Sequence, residues 1–361
     1  MSDSENFSLL KAGKSGSIVE YARALKQIKW ANLPQVQFAP WNVPLERRIQ
    51  TLSLAFYYTM TLQSITLSLL IVWLGYWPLL VAYLAFIVYD RGHEKGGRPL
   101  EWVRNHPVWR GAAAYFPMKL VRETELDPTK QYLFGYHPHG VIANGAVIGF
   151  GTEALGFSKL FPGITVRPLT INANFYMPFY REIVIALGFC GPTKQSINNL
   201  YRKGHSCLIV VGGAEESLIS APGTASLVLK NRLGFVAMAI KNGASLVPVY
   251  GFGENECFSI LIPELNSPIQ RLQQLMKRVL GFTIPLYHGR SMFTYNYGFL
   301  PKRYPTTIVV GSPIHTTKEP TPSPELVAKV HQEYMEALQD LYDRNKAKYT
   351  HGDVIPDISF L

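Results

Sequence analysis

From Ile49 to Tyr89 the chain carries no charged side chain, and that run restricts the fold more than any other feature. A helix needs about 20 mainly apolar residues to cross the hydrocarbon core of a bilayer, so there is room here for two passes. Gly75-Tyr76-Trp77-Pro78 breaks the run in its middle and supplies aromatic rings suited to a membrane interface. Arg47 and Arg48 precede the run, and Arg91, Lys95 and Arg98 follow it. Positive charge on both flanks places both ends on the cytosolic side. The second arm, Trp77 to Tyr89, is short for a full crossing, which leaves a spanning hairpin and a re-entrant one both open. A hairpin buried in a soluble core is the contrasting alternative. A cleaved signal peptide is not expected, because the first 48 residues are polar and mixed in charge and the apolar run starts late and is long. The expected organisation is a cytosolic N-terminal segment over 1–48, a membrane-embedded helical hairpin over 49–90 and a cytosolic globular domain over 91–361.

The formal net charge of +10, from 35 basic and 25 acidic residues, favours an anionic partner: phospholipid headgroups, nucleic acid or a phosphate-bearing co-substrate. With a membrane hairpin present, the phospholipid surface is the preferred reading and nucleic acid is not expected. Cys190, Cys207 and Cys257 are odd in number and dispersed, so they form no disulfide framework and point to a reducing compartment. Asn6-Phe7-Ser8 matches the glycosylation sequon, but that end reads as cytosolic.

After Asp90, strand-like and helix-like runs alternate. Gln131 to Tyr136, Ile164 to Ile171, Cys207 to Val211, Ser245 to Phe252 and Thr307 to Val310 are short, apolar and rich in β-branched residues. Ile197 to Lys203 and Leu227 to Lys241 read as helices, the second closed by Asn242-Gly243. This alternation predicts an α/β fold with a mainly parallel sheet flanked by helices. Ser267-Pro268 starts a basic amphipathic helix that either lies on a membrane surface or packs on the core. Ser323-Pro324-Glu325 starts another, whose stripe of Leu326, Val330, Tyr334, Leu338 and Leu341 reads as core packing.

Two motifs carry chemistry. Tyr132 to Tyr136 runs into His137-Pro138-His139-Gly140. In extended backbone, residues i and i+2 point the same way, so both imidazoles are expected in one cavity, with Gly140 permitting close approach. Such a pair is a base with a helper or half of a metal site. His93, His106, His205, His288, His315, His331 and His351 lack ligand spacing, so no metal site is expected. The second motif, Gly212-Gly213-Ala214-Glu215, follows a strand directly. It delivers Glu215 to the sheet edge that holds the histidines, since sites in such sheets lie at the carboxyl ends of strands.

Together these blocks resemble the type 2 diacylglycerol acyltransferase family, which includes monoacylglycerol acyltransferases and some wax synthases. The resemblance rests on Tyr115-Phe116-Pro117, His137-Pro138-His139-Gly140, Phe150-Gly151-Thr152-Glu153-Ala154, Gly212-Gly213-Ala214-Glu215, Arg232-Leu233-Gly234-Phe235 and Leu246-Val247-Pro248 through Glu254-Asn255. It covers Pro107 to the C-terminus, and the hairpin matches the family's layout. It implies an acyltransferase domain over 91–361, acyl-coenzyme A as co-substrate with no tightly bound cofactor, and diacylglycerol as acceptor. It further implies the endoplasmic reticulum membrane and the lipid droplet surface as location. Oligomeric state stays open, a homo-oligomer included. A more distant likeness is to glycerolipid acyltransferases with an aspartate five positions after the histidine. Here that position is Asn144, and Glu153 is the candidate orienting carboxylate in its place.

Acyl transfer to a lipid hydroxyl needs a base and a cradle for the oxyanion. His139 is the expected base and His137 its positioning partner or an oxyanion donor, with the reverse assignment open. Gly140 and the amides after it are expected to cradle the oxyanion at a helix N-terminus. Gly212, Gly213, Lys230 and Arg232 are expected to help bind the donor, the two cations through its phosphates. No Gly-x-Ser-x-Gly elbow occurs, which favours direct transfer over an acyl-enzyme. A membrane lipid hydrolase and a non-catalytic lipid-droplet protein are the readings of a different class.

Overall fold

The computed structural model describes residues 35–361 except 262, 264–266, 281, 282, 284 and 352–354. Most of the expected N-terminal segment, including Asn6-Phe7-Ser8, lies outside the described residues. The charge-free run folds as two helices, α1 (Leu45–Trp73) and α2 (Trp77–Tyr89). At 1.5 Å per residue they are about 43 Å and 20 Å long. The break falls at Gly75, whose φ of 82° suits a residue without a Cβ. Pro78 sits in the first turn of α2, where a missing N–H costs nothing. α1 is long and apolar enough to cross a membrane. Leu69, Trp73 and Leu79 are 65%, 80% and 67% exposed, so this is not a hairpin buried in a soluble core.

The chain continues through α3 (Glu101–Arg104), α4 (Pro107–Tyr115), β1 (Lys119–Arg122), β2 (Tyr132–His137), α5 (Asn144–Gly151), α6 (Phe157–Leu160) and β3 (Val166–Pro168). Next come α7 (Tyr180–Ala186), α8 (Lys194–Arg202), β4 (Ser206–Val210), α9 (Gly213–Ser217), β5 (Ser226–Leu227), α10 (Gly234–Asn242) and β6 (Ser245–Phe252). The last elements are β7 (Ser259–Leu261), α11 (Pro268–Leu280), β8 (Leu286–His288), β9 (Thr307–Val310), α12 (Pro324–Tyr349) and β10 (Ser359–Phe360).

The main sheet has the order β1-β9-β6-β2-β4-β3. Its pairings are parallel except for β6 against β9, so the expected α/β architecture with a mainly parallel sheet is the one observed. β2 and β6 are buried along their whole lengths, as central strands covered on both faces must be. One face packs Leu133, Leu246 and Val309 against α8, α10 and α12. The other packs Phe134, Tyr136 and Val247 against α1, α4 and α5. The first half of α1 is therefore a covering helix of the α/β domain as well as one arm of the hairpin.

Two expected elements differ. The strand expected over Ile164 to Ile171 is only Val166–Pro168, because Pro168 brings no N–H to a ladder. The helix expected over Leu227 to Lys241 begins at Gly234. Before it, Ser226–Leu227 pairs with Ser359–Phe360, and the Leu229 and Lys230 amides donate to Leu361 O. The chain end captures those donors, a contact that local periodicity does not encode. Ser323 caps α12 as expected, accepting from the Leu326 N–H at 3.2 Å, and Gly243 closes α10 with a φ of 70°.

Candidate active site

β2 ends at His137, in the middle of the sheet. Its side chains alternate, so Leu133, Gly135 and His137 face α12 while Tyr136 faces α5. A Cβ on Gly135 would lie 2.0 Å from the Tyr334 hydroxyl, which is why that position is glycine. The hydroxyl donates to Gly135 O at 3.1 Å and lies 3.0 Å from His137 Nε2. His137 is fully buried, and its Nδ1 has no hydrogen-bond partner. Burial pushes its pKa down to about 3, so it is neutral at physiological pH.

His139 sits elsewhere. It lines an apolar cavity of about 440 Å³, in the size range of small-molecule sites. Its Nδ1 is 3.0 Å from Gly140 O. A carbonyl only accepts, so Nδ1 carries the proton and Nε2 keeps its lone pair. Burial lowers this imidazole below its usual 6.5, which keeps it in the basic form. The expectation that both rings share one cavity is corrected: His137 is not part of that lining. The strand stops at His137, and the i, i+2 rule holds only for extended backbone.

Two buried carboxylates hold the segment that carries these histidines, one at the His139 amide and the other at Tyr136 and the start of α5. Glu216 accepts from the His139 N–H at 2.5 Å and from the Val228 N–H at 2.8 Å. A Cβ on Gly212 would lie 2.2 Å from the Glu216 carboxylate, so Gly212 makes room for it. Glu254, at the end of β6, accepts from the Tyr136 hydroxyl at 2.7 Å and from the amides of Asn144 and Gly145 at 2.8 and 3.0 Å. It thereby occupies the N-terminus of α5, where a carboxylate offsets the helix dipole. Gly140 has a φ of 61°, and a Cβ there would lie 2.9 Å from Glu254 Cγ. Burial pushes both Glu216 and Glu254 up to about 7, against donors that favour the ionised form. The Asn144 and Gly145 amides are thus committed to Glu254, so the expected oxyanion cradle at this helix N-terminus does not include them.

The cavity is walled by Tyr57 and Met60 of α1, Trp109 of α4, Val147 of α5 and the Gly213-Ala214 turn. The first half of α1 is therefore part of the cavity wall. No cluster of three or more metal-ligating side chains occurs among the described residues. All three cysteines are buried, and burial raises Cys190 and Cys207 to about 12, so neither is a thiolate nucleophile.

A family model for diacylglycerol acyltransferase matches residues 69–357. The chain belongs to the diacylglycerol acyltransferase family. It is therefore an acyltransferase. It is 43% identical to diacylglycerol O-acyltransferase 2A of Umbelopsis ramanniana, over 91% of this chain and 95% of that protein. It is 41% identical to diacylglycerol O-acyltransferase 2 of Dictyostelium discoideum, over 86% and 96%. It is 40% identical to 2-acylglycerol O-acyltransferase 1 of Bos taurus, over 87% and 96%. Among solved structures, the 1-acyl-sn-glycerophosphate acyltransferase of Thermotoga maritima is similar at a TM-score of 0.41 and 12% identity, covering 84% of this chain and 100% of that one.

Other residues that the family pattern suggested fall in different surroundings. Glu215 is half-exposed and pairs with Arg232 at 2.8 Å, and Arg232 also reaches Gly212 O at 3.5 Å. Lys230 is exposed. Glu153 follows the far end of α5, about 12 Å along the helix axis from its start. It pairs there with Arg104 at 2.9 Å and accepts from the Ser158 N–H at the start of α6. Asn144 accepts from the Tyr58 hydroxyl of α1 at 2.8 Å, which ties α1 to the start of α5. Sequence reasoning missed Glu216, Glu254 and Tyr334 as parts of the site. A clue to Glu216 was available: a glycine four residues before a carboxylate in one helical turn leaves the space that side chain needs. Glu254 and Tyr334 meet the turn from more than 100 residues away, and no local signal marks them.

Proposed function

We propose that this acyltransferase moves a fatty acyl group from acyl-coenzyme A to the free hydroxyl of diacylglycerol, making triacylglycerol and releasing coenzyme A. The observation that carries the reading is His139, with Nδ1 committed to Gly140 O and Nε2 left basic, on the wall of an apolar cavity built partly from α1. As the acceptor oxygen attacks the thioester carbonyl, Nε2 takes the hydroxyl proton. The tetrahedral intermediate collapses, the C–S bond breaks, and the departing thiolate takes that proton back. A positioned base of this kind contributes about 10²–10⁴-fold. Glu216 holds the base through its backbone amide, and Glu254 and Tyr334 hold the turn from its two sides. Arg232, with Lys230 near it in sequence, is the cation offered to the donor's phosphates.

The hairpin enters and leaves on the cytosolic face. Leu54 and Met60 are buried against the domain, Ser64 donates to Pro178 O, and Tyr83 donates to Glu182 at 2.9 Å. No residue from Ile65 to Phe86 is buried. The nine residues from Ile65 to Trp73 extend about 14 Å along the helix axis, which is an upper bound on their depth and falls well short of the ~30 Å hydrocarbon core. This supports a re-entrant hairpin in one leaflet, with the enzyme on the endoplasmic reticulum membrane and on lipid droplets, whose surface is a single leaflet. The neutral product leaves into the apolar layer beside α1.

A second reading, transfer to monoacylglycerol, is favoured by the likeness to 2-acylglycerol O-acyltransferase 1. The test is detergent-purified protein given labelled acyl-coenzyme A with diacylglycerol, monoacylglycerol and a long-chain alcohol in competition. Labelled triacylglycerol is the expected main product. Main labelling of diacylglycerol selects the second reading, and acyl release into water without any acceptor overturns both.

A further inference from the structure

Two segments far apart in sequence meet at the foot of α1. Phe38 and Thr294 form an antiparallel bridge, flanked by Ala39 N–H to Phe293 O and Tyr295 N–H to Gln37 O, each 2.8 Å. Asn296 closes the pair, accepting from the Gln37 amide at 3.0 Å and donating to Gln35 O at 2.8 Å. This ordered pairing serves no core: Phe38, Trp41 and Phe293 are 73%, 91% and 71% exposed. Directly after it, α1 exposes Leu45, Ile49, Leu52 and Phe56, a stripe at helical spacing. Its opposite side buries Leu54 in the domain. Arg47 and Arg48 are exposed beside the stripe, and the Arg290 guanidinium lies 4.7 Å from the Tyr295 ring centroid.

Moving large apolar side chains out of water is favourable, so a hydrogen-bonded surface that holds several of them exposed implies an occupant. Aromatic rings rimmed by arginine match the headgroup layer, which is apolar on one side and anionic on the other. The patch is also continuous with α1, whose far half forms the hairpin. We infer that the paired segments 35–44 and 289–300, together with the exposed stripe on the first half of α1, form a second membrane contact in the headgroup layer. The α/β domain then lies against the bilayer surface, and the cavity wall of Tyr57 and Met60 is held at the boundary from which a lipid acceptor enters. The inference rests on the hairpin reading given above, and the experiment separates the two.

Nitroxide labels are placed on Phe293→Cys, Leu70→Cys and Gln332→Cys in full-length protein, in nanodiscs of phosphatidylcholine with one-fifth phosphatidylserine. Collision with oxygen and with a water-soluble nickel chelate then reports depth. Leu70 in the hairpin should read as hydrocarbon, Gln332 on the exposed side of α12 as water, and Phe293 as the headgroup boundary. An aqueous Phe293 with a deep Leu70 overturns the second contact while the hairpin stands. An aqueous Leu70 removes the hairpin and this inference with it. Dipolar broadening at Phe293 that disappears on dilution with unlabelled protein assigns the patch to a second copy and also overturns it. As a kinetic check, Phe38→Ser combined with Phe293→Ser should lower turnover of bilayer-presented diacylglycerol about tenfold and leave turnover in detergent micelles unchanged. Equal turnover in both settings counts against the contact.

Discussion

Replacing Glu254 with alanine removes the acceptor for three buried donors at once: the Tyr136 hydroxyl and the amides of Asn144 and Gly145. An orphaned buried donor costs about 1–3 kcal/mol. The space left by the carboxylate admits water, so the low end applies, and three donors give about 3 kcal/mol. A loss of that size lowers the folded-to-unfolded ratio more than a hundredfold. At about 2–4 °C per kcal/mol for a large domain, the melting point should drop by about 6–12 °C. The three buried cysteines supply the assay, because a thiol-reactive dye reaches them only as the protein unfolds. Glu254→Gln keeps one carbonyl oxygen but turns an NH₂ toward a donor, so it should fall between wild type and alanine. The folded fraction of the alanine variant should also show a kcat at least tenfold lower at similar KM for acyl-coenzyme A, because Gly140 and the start of α5 lose their seat. A melting point within 2 °C of wild type together with unchanged kcat would refute the claim that Glu254 holds the turn.

Further outcomes follow from the same geometry. Burial holds His139 below its usual 6.5, so the acid limb of the kcat profile should lie below pH 6.5, and a limb at or above that value counts against His139 as the base. Glu216→Gln should lower turnover at least tenfold more than Glu215→Gln, since only Glu216 touches the His139 backbone; parity between the two would return the role to the exposed residue. Tyr334→Phe should cost about 1–3 kcal/mol in the thiol-dye melt, because His137 Nε2 loses its partner. Glu216 and Glu254 hold protons in the fold that the unfolded chain releases at about 4.5. Their share of stability is therefore present below about pH 4.5 and fades as pH rises through about 7. The variant carrying both Glu216→Gln and Glu254→Gln should show a flatter melting profile across that window than wild type.

Features legible in the sequence were those set by local physics. The charge-free run with its Gly-Tyr-Trp-Pro break became α1 and α2, and the short apolar runs became β2, β4, β6 and β9 with small shifts at their ends. Ser323 and Asn242-Gly243 marked helix ends because capping is a local hydrogen-bond requirement. What stayed hidden depended on distant partners. Leu227 to Leu229 read as helical until the chain end, about 130 residues later, took their donors. Which of Glu215 and Glu216 folds back under Gly212 is not decided by spacing. Tyr334 belongs to a stripe that does pack the core, and its contact with His137 is visible only once β2 and α12 are brought together. The charge-free run marked α1 as a helix long and apolar enough to cross a membrane, yet gave no sign that its first half would wall the cavity.

His139 is proposed as the base of an acyl transfer to a lipid hydroxyl. The most direct test of that role compares wild type with His139→Ala in purified, membrane-reconstituted protein, measuring triacylglycerol formed from labelled acyl-coenzyme A and diacylglycerol. Both samples are first shown to be folded by the thiol-dye melt. The variant should lose about two to four orders of magnitude in turnover while binding acyl-coenzyme A with similar affinity. A folded His139→Ala protein that keeps most of its turnover would contradict the account.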